Sequence, residues 1–152
     1  MSNLLEVSKA TLEDLQQIAI LFNEYRIFYK QPTDLEKARA FLLERIEKDE
    51  SVIFKVKDGE LSKVIGFTQL YPSFSSISMK RSWILNDLYV LEEFRGRGAA
   101  QQLLDAAQDY ANSTCAKGLS LSTAIDNIVA QRIYERNGYQ RDNEFYNYYL
   151  TL

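Results

Sequence analysis

The stretch Glu93-Phe94-Arg95-Gly96-Arg97-Gly98-Ala99-Ala100 sets two glycines and two arginines between an apolar run, WILNDLYV, and a run with helical spacing, QQLLDAAQDYA. A strand, a Gly-rich turn and a helix in this order form a physical device for anions. The first backbone N–H groups of a helix lack intrahelical partners, and the helix dipole adds positive potential at that end. Gly96 and Gly98 remove side chains that would keep phosphates away from those amides. Arg95 and Arg97 add donors and charge. A plain loop with solvated arginines has the same composition, so the fragment alone leaves both readings open. A dinucleotide fingerprint fits poorly. Gln101 stands where a third Gly or Ala belongs, and several strands and helices precede a motif that should open its own βαβ unit.

Other chemistry is excluded by what the chain lacks. With no His and one Cys among 152 residues, there is no Ser-His-Asp triad, no Cys-His pair and no zinc site of His or clustered thiolates, so no metal is expected. Any general base is a carboxylate, a Tyr, a Lys or relayed water. No G-x-x-x-x-G-K-[ST] string occurs, which removes P-loop chemistry. Cys115 lacks a partner and reads as inert packing. The formal charge of −3 gives no general attraction to nucleic acid. No apolar run approaches the ~20 residues that cross a bilayer. The opening MSNLLEVSKA lacks the basic-then-apolar layout of a signal peptide, so a cytoplasmic location is expected.

The elements that must position the turn follow from periodicity. A length of 152 residues with 46% hydrophobic residues fits one domain, 1–152, able to bury roughly 70% of the surface its unfolded form exposes. Leu4 to Lys9 reads as a first strand. Thr11 with Asp14 forms a capping box before a helix with Leu12, Leu15, Ile18, Ala19 and Phe22 on one face, running towards Tyr25 to Tyr29. Thr33 with Glu36 predicts a second box, before LEKARAFLLERIEKD. Ser51 to Lys57 and Lys63 to Tyr71 form a hairpin around Asp58-Gly59. YPSFSSISMK reads as a loop and RSWILNDLYV as a third sheet run. After the motif helix, LSLST is a short strand. Asn127 to Asn137 is helical, with Gly138 placed for a left-handed end. EFYNYYLTL reads as a final strand. The order is β-α-α-β-β-β-α-β-α-β, an α/β domain with a mixed, mostly antiparallel sheet and helices on both faces.

The string Arg95-x-x-Gly98-x-Ala100, after LNDLYV and before an amphipathic helix, resembles motif A of the GNAT superfamily of acetyl-CoA-dependent N-acetyltransferases. Asn127-Ile-Val-Ala130-Gln-Arg-Ile-Tyr134-Glu-Arg-Asn-Gly138-Tyr139 resembles that family's second signature, and the element order matches along essentially the whole chain. The resemblance implies that acetyl-CoA binds by its pyrophosphate to Arg95, Gly96, Arg97, Gly98, Ala99 and Ala100, backbone amides doing more than side chains. It also implies that Leu88 and Val90 pair with the pantetheine arm and that Asn127 contacts the cofactor or the acceptor region.

The implied reaction is direct attack of an amine on the thioester carbonyl, with Tyr134 as the acid that protonates the departing thiolate. An alkylammonium of pKa near 10.4 is only about one part in a thousand neutral at pH 7, so proton removal matters. Polyamine acetyltransferases resemble Leu85-Asn86-Asp87-Leu88 with acids at the two polar places. Here Asn86 replaces the first, leaving Asp87 as a candidate base beside a water relay or an already neutral amine. A carboxylate capped by backbone or paired with Arg81 is the structural alternative for Asp87. Because successive strand side chains alternate, only one of Asn86 and Asp87 readily faces a given site. Tyr25, Phe28, Tyr29, Tyr71, Phe74 and Trp83, with Asn86, are candidates to line the acceptor pocket.

Three functions compete: acetylation of a small amine, amino acid or polyamine-like compound; acetylation of a protein lysine or N-terminus; and acyl-CoA binding without turnover. The aromatic tail predicts a homodimer contact.

Overall fold

The computed structural model describes residues 4–152. They fall into two compact units, one ending at Leu121 and the other spanning Ser122–Leu152.

The first unit is a five-stranded sheet in the order β1-β2-β3-β4-β5. β1 (Leu5–Lys9), β2 (Val52–Asp58), β3 (Lys63–Ser75) and β4 (Lys80–Val90) are antiparallel in succession, and β5 (Leu119–Ser120) runs parallel to β4. Helices α1 (Leu15–Phe28) and α2 (Leu35–Glu47) come between β1 and β2, and α3 (Ala99–Ser113) between β4 and β5. Ile53 and Phe67 pack with Leu15, Ile18, Phe22 and Leu42 of α1 and α2. Phe54, the next residue of β2, meets Tyr110 of α3 at 5.6 Å between ring centroids. Neighbouring strand residues thus go to opposite helix layers, which is why β2 and β3 are buried almost continuously rather than alternately. Each fully buried large side chain, such as Phe67 or Leu103, contributes roughly 1.5–3 kcal/mol.

The Thr11–Asp14 capping box forms as expected, with a short 3₁₀ turn, Leu12–Asp14, leading into α1. The second box does not form. Asp34 caps α2 by accepting from the Lys37 N–H, while the Thr33 hydroxyl accepts from Asn23 Nδ2. Asn23 Oδ1 also takes the Asp34 N–H at 2.9 Å, so a buried residue of α1 sets the cap one position later.

Two further expectations fail because strand pairing outweighs local preference. Pro72–Ser75, expected in a loop, extends β3 beyond Tyr71, with Pro72 opposite Trp83 and Phe74 opposite Arg81. LSLST shortens to Leu119–Ser120, the residues that pair with Trp83 and Ile84. The register of β3 with β4 then slips. Gln69 faces Asp87 and Leu70 faces Leu85, which leaves Asn86 as the extra, exposed residue of a bulge. A bulge reverses the side-chain phase of a strand.

In the second unit, α4 (Ile128–Arg136) is bounded by Asn127 and Asn137. Gly138 is left-handed at φ 92° as expected, and the Tyr139 N–H closes on the Tyr134 carbonyl at 3.1 Å. The tail EFYNYYLTL forms no strand, and Phe145, Tyr146, Tyr148 and Tyr149 are exposed. Asp142 Oδ1 accepts from the N–H groups of Glu144 and Phe145, a turn that draws two donors away from a ladder. The final strand of the expected order is therefore missing from residues 122–152.

Candidate active site

The turn after β4 is built by backbone conformation. A 3₁₀ turn, Glu92–Phe94, ends β4's apolar run with Phe94 buried. Gly96 and Gly98 then take φ +82° and +86°, a region side chains resist, and a Cβ at either would meet nothing within 4 Å. The glycines are thus required by chain direction and leave open space beside the turn. Gly98 is the N-cap of α3 and no side chain caps that end; the first intrahelical bond runs from Gln102 N–H to the Gly98 carbonyl. Ala99 is buried and Ala100 half-buried at this start. Such a helix end can hold an anion of pyrophosphate size through main-chain donors.

The arginines do different work. Arg95 Nε donates to the Val90 carbonyl at 2.8 Å, and its guanidinium lies 5.7 Å from the Tyr89 ring centroid and 5.9 Å from that of Phe28. It ties the turn to the end of β4 and to the last turn of α1. Arg97 lies over Phe94 at 5.1 Å.

β4 also presents an edge. The Leu91 N–H donates to Ile65 of β3, so by the alternation of antiparallel pairing the backbone groups of Leu88 and Val90 point away from β3. β5 pairs with β4 only at Trp83 and Ile84. The Val90 carbonyl is taken by Arg95, which leaves its N–H for an extended partner.

On the α1 face, Asp87 is 4% exposed. Gln69 Nε2 donates to its Oδ2 at 2.8 Å, Asn86 Nδ2 to its Oδ1 at 3.2 Å, and Tyr25 also hydrogen-bonds it. Burial pushes the carboxyl above its ordinary range against these donors. Burial, and then the neighbouring Asp87, pushes the Tyr71 phenol up to about 12. Tyr25 meets Tyr29 at 5.0 Å and Tyr89 at 5.9 Å between ring centroids. Asp87, Tyr25, Tyr71 and Asn86 therefore converge, with Tyr29 beside Tyr25.

Trp83 does not join them. It is 4% exposed, donates from Nε1 to Thr114 Oγ1 and packs on Tyr110 of α3. Four residues of regular strand would put Trp83 and Asp87 on one face; the bulge at Asn86 puts them on opposite ones. Phe74 is 70% exposed under the Arg81 guanidinium, which sits between Phe74 and Trp83 rather than on Asp87. Cys115 is exposed at φ 57°, not packed.

In the second unit, Asn127 Oδ1 caps α4 by accepting from the Ala130 N–H at 3.2 Å. Tyr134 is half-buried, its ring 5.8 Å from that of Tyr139. Burial first, then Tyr134, pushes the Tyr139 phenol up to about 12.

Sequence reading missed Gln69, Ser51 and Tyr89. Gln69 carried a signal: it is a polar residue within KVIGFTQLY, a run buried on both faces from Val64 to Leu70.

An uncapped helix end after a left-handed glycine turn, with a strand edge beside it, suits an extended ligand that ends in an anion. The chain belongs to the acetyltransferase (GNAT) family, whose sequence profile matches residues 15–139. It is 48% identical over 148 residues to the uncharacterized N-acetyltransferase YhfO of Bacillus subtilis, covering 97% of this chain and 98% of that one. The crystal structure of a probable acetyltransferase superposes with a TM-score of 0.92 at 46% identity over 97% of both chains. The aminoglycoside N-acetyltransferase AAC(6')-Iy, solved in complex with CoA, superposes with a TM-score of 0.81 at 18% identity over 100% of this chain and 98% of its own. At that identity the likeness is one of fold.

Proposed function

We propose that this enzyme moves the acetyl group of acetyl-CoA directly onto a primary amine of a small molecule, an amino acid or polyamine-like compound. The observation that carries the reading is Asp87, a buried carboxylate without an opposite charge among its hydrogen-bond partners, set among tyrosine rings. A carboxylate so placed attracts an ammonium, which the ring faces also favour. The acceptor's ammonium binds at Asp87, Tyr25 and Tyr71, and Asp87 takes the proton that frees the nitrogen lone pair. That lone pair forms the C–N bond to the thioester carbonyl as the C–S bond breaks, and the second proton that the nitrogen then sheds passes to water, from which the phenol of the acid is restored.

Tyr134 gives its phenolic proton to the departing thiolate, a role that rests on the second signature. Asn127 spends its side-chain oxygen on the helix cap, which leaves its amide N–H groups for the donor. The pyrophosphate rests on the main-chain donors from Gly96 to Ala100, and the pantetheine arm pairs with the edge at Leu88 and Val90. AAC(6')-Iy was solved with CoA and is named for a small-molecule amine acceptor, which agrees with the reading at the level of fold.

The test is CoA release from acetyl-CoA across a panel of free amines, amino acids and peptides. Release with free amines is expected. Release with peptides alone would move the acceptor to proteins, and tight acetyl-CoA binding with no release on any amine would leave a binding module. Tyr134→Phe should lower kcat by about 10²-fold, read in the same assay. An unchanged rate across pH would remove Tyr134 from the acid's role.

A further inference from the structure

We infer that Gln69, itself oriented by Ser51, is a positioning residue that fixes the Asp87 carboxylate in one orientation and keeps it ionised for the acceptor. The inference rests on the acceptor-side reading of Asp87 given above. Gln69 is 0% exposed and stands directly opposite Asp87, at the place where the register of β3 with β4 slips. Its Nε2 donates to Asp87 Oδ2 at 2.8 Å, and its Oε1 accepts from Ser51 Oγ at 2.7 Å. Tyr71 also hydrogen-bonds Gln69. The chain Ser51 to Gln69 to Asp87 therefore crosses from the start of β2, over β3, to β4.

An amide has a donor end and an acceptor end, and only one orientation serves both neighbours. Turned over, Gln69 would set its carbonyl oxygen against the carboxylate, a repulsive contact. With the Ser51 hydroxyl donating to Oε1, the NH₂ end is committed to Asp87. Asn86 Nδ2 and Tyr25 supply the other donors, so the carboxylate plane is held from three sides.

The groups that face Asp87 are Tyr25 from α1, Gln69 and Tyr71 from β3, and Asn86 from β4. Arg45 of α2 reaches Tyr71 by charge but is paired with Glu44 and Glu50. Hydrogen bonds, with Gln69 the foremost, therefore oppose the burial that would neutralise the carboxyl. A passive core amide would need none of this polarity. An apolar side chain of the same length would fill the space without imposing an orientation on Asp87.

The test uses the full chain with Gln69→Met, which keeps the length but loses both bonds, and Ser51→Ala, a milder change at a half-buried position. The first readout needs no acceptor. Carboxyl ¹³C titration by NMR, with Asp87 assigned by the signal that Asp87→Asn removes, should show its midpoint displaced to higher pH in Gln69→Met and less so in Ser51→Ala. The second readout is kcat/KM against pH with whichever panel amine gives the fastest CoA release. The acid limb should move up in parallel, lowering kcat/KM at pH 6 about tenfold in Gln69→Met. Wild-type midpoints in both variants would overturn the inference, and Ser51→Ala alone decides it if Gln69→Met does not fold. Wild-type turnover in Asp87→Asn would instead sink the acceptor-side reading of Asp87. A displaced midpoint in Gln69→Met would then still uphold the fixing of the carboxyl.

Discussion

The turn between β4 and α3 and the cluster around Asp87 stand at two ends of a contrast. The turn is exposed, uncapped and made of main-chain conformation, with left-handed Gly96 and Gly98 facing open space. The cluster is closed and made of side chains from α1, β3 and β4, with Asp87 and Gln69 4% and 0% exposed. A constant ligand such as a pyrophosphate needs only donors at a fixed spacing, which backbone supplies without choosing residue types. An acceptor must be selected and deprotonated, which needs titratable groups whose state the surroundings control. Arg95 belongs to both regions. It bonds the Val90 carbonyl beside the turn and lies over Phe28 and Tyr89 beside the cluster.

The contrast breaks if a change in one region is felt in the other. The largest expected effect is at Asp87→Asn: kcat/KM for the amine should drop by about 10²–10⁴-fold. Because the carboxyl must be ionised to act and burial holds it up, wild-type activity should fall with pH through a midpoint above the ordinary 3.8. The variant should lack that limb. Next is Gly98→Val. A β-branched residue at φ +86° is strained and puts bulk into the turn, so KM for acetyl-CoA should rise about tenfold or more. The amine's kcat/KM at saturating acetyl-CoA should change little.

Two smaller effects sharpen the division. Arg95→Met should weaken acetyl-CoA and the amine together, each about threefold to tenfold by initial-rate kinetics, since it removes one charge-assisted bond. An effect on the donor alone would make Arg95 a phosphate ligand rather than a link. Trp83→Phe should cost about 1 kcal/mol in thermal or denaturant unfolding through the lost Thr114 bond. It should leave the amine's KM in place, and a raised KM at full stability would return Trp83 to the acceptor pocket.

What the sequence disclosed follows the same division. EFRGRGAA, the Thr11 capping box and the left-handed Gly138 are local devices, fixed by residues within a few positions of each other, and they are found where periodicity put them. The cluster depends on register. Trp83 lies apart from Asp87 because Asn86 is a bulge, and a bulge is defined by the partner strand rather than by the residues that carry it. The cap of α2 moved from Thr33 to Asp34 because Asn23, on another helix, takes both neighbours. The tail's β-forming composition gave no strand, and at its start a turn at Asp142 took the donors of Glu144 and Phe145. Gln69 was visible as a polar residue, beside Thr68, in a mostly apolar run, but its partners, Ser51 and Asp87, lie 18 positions away on either side.

The separation of donor and acceptor sides is tested most directly by calorimetric titration of acetyl-CoA into the wild type, Asp87→Asn and Gly98→Val. Asp87→Asn should bind acetyl-CoA as the wild type does while Gly98→Val binds about tenfold or more weakly. Wild-type affinity in Gly98→Val, or a comparable loss in Asp87→Asn, would contradict it.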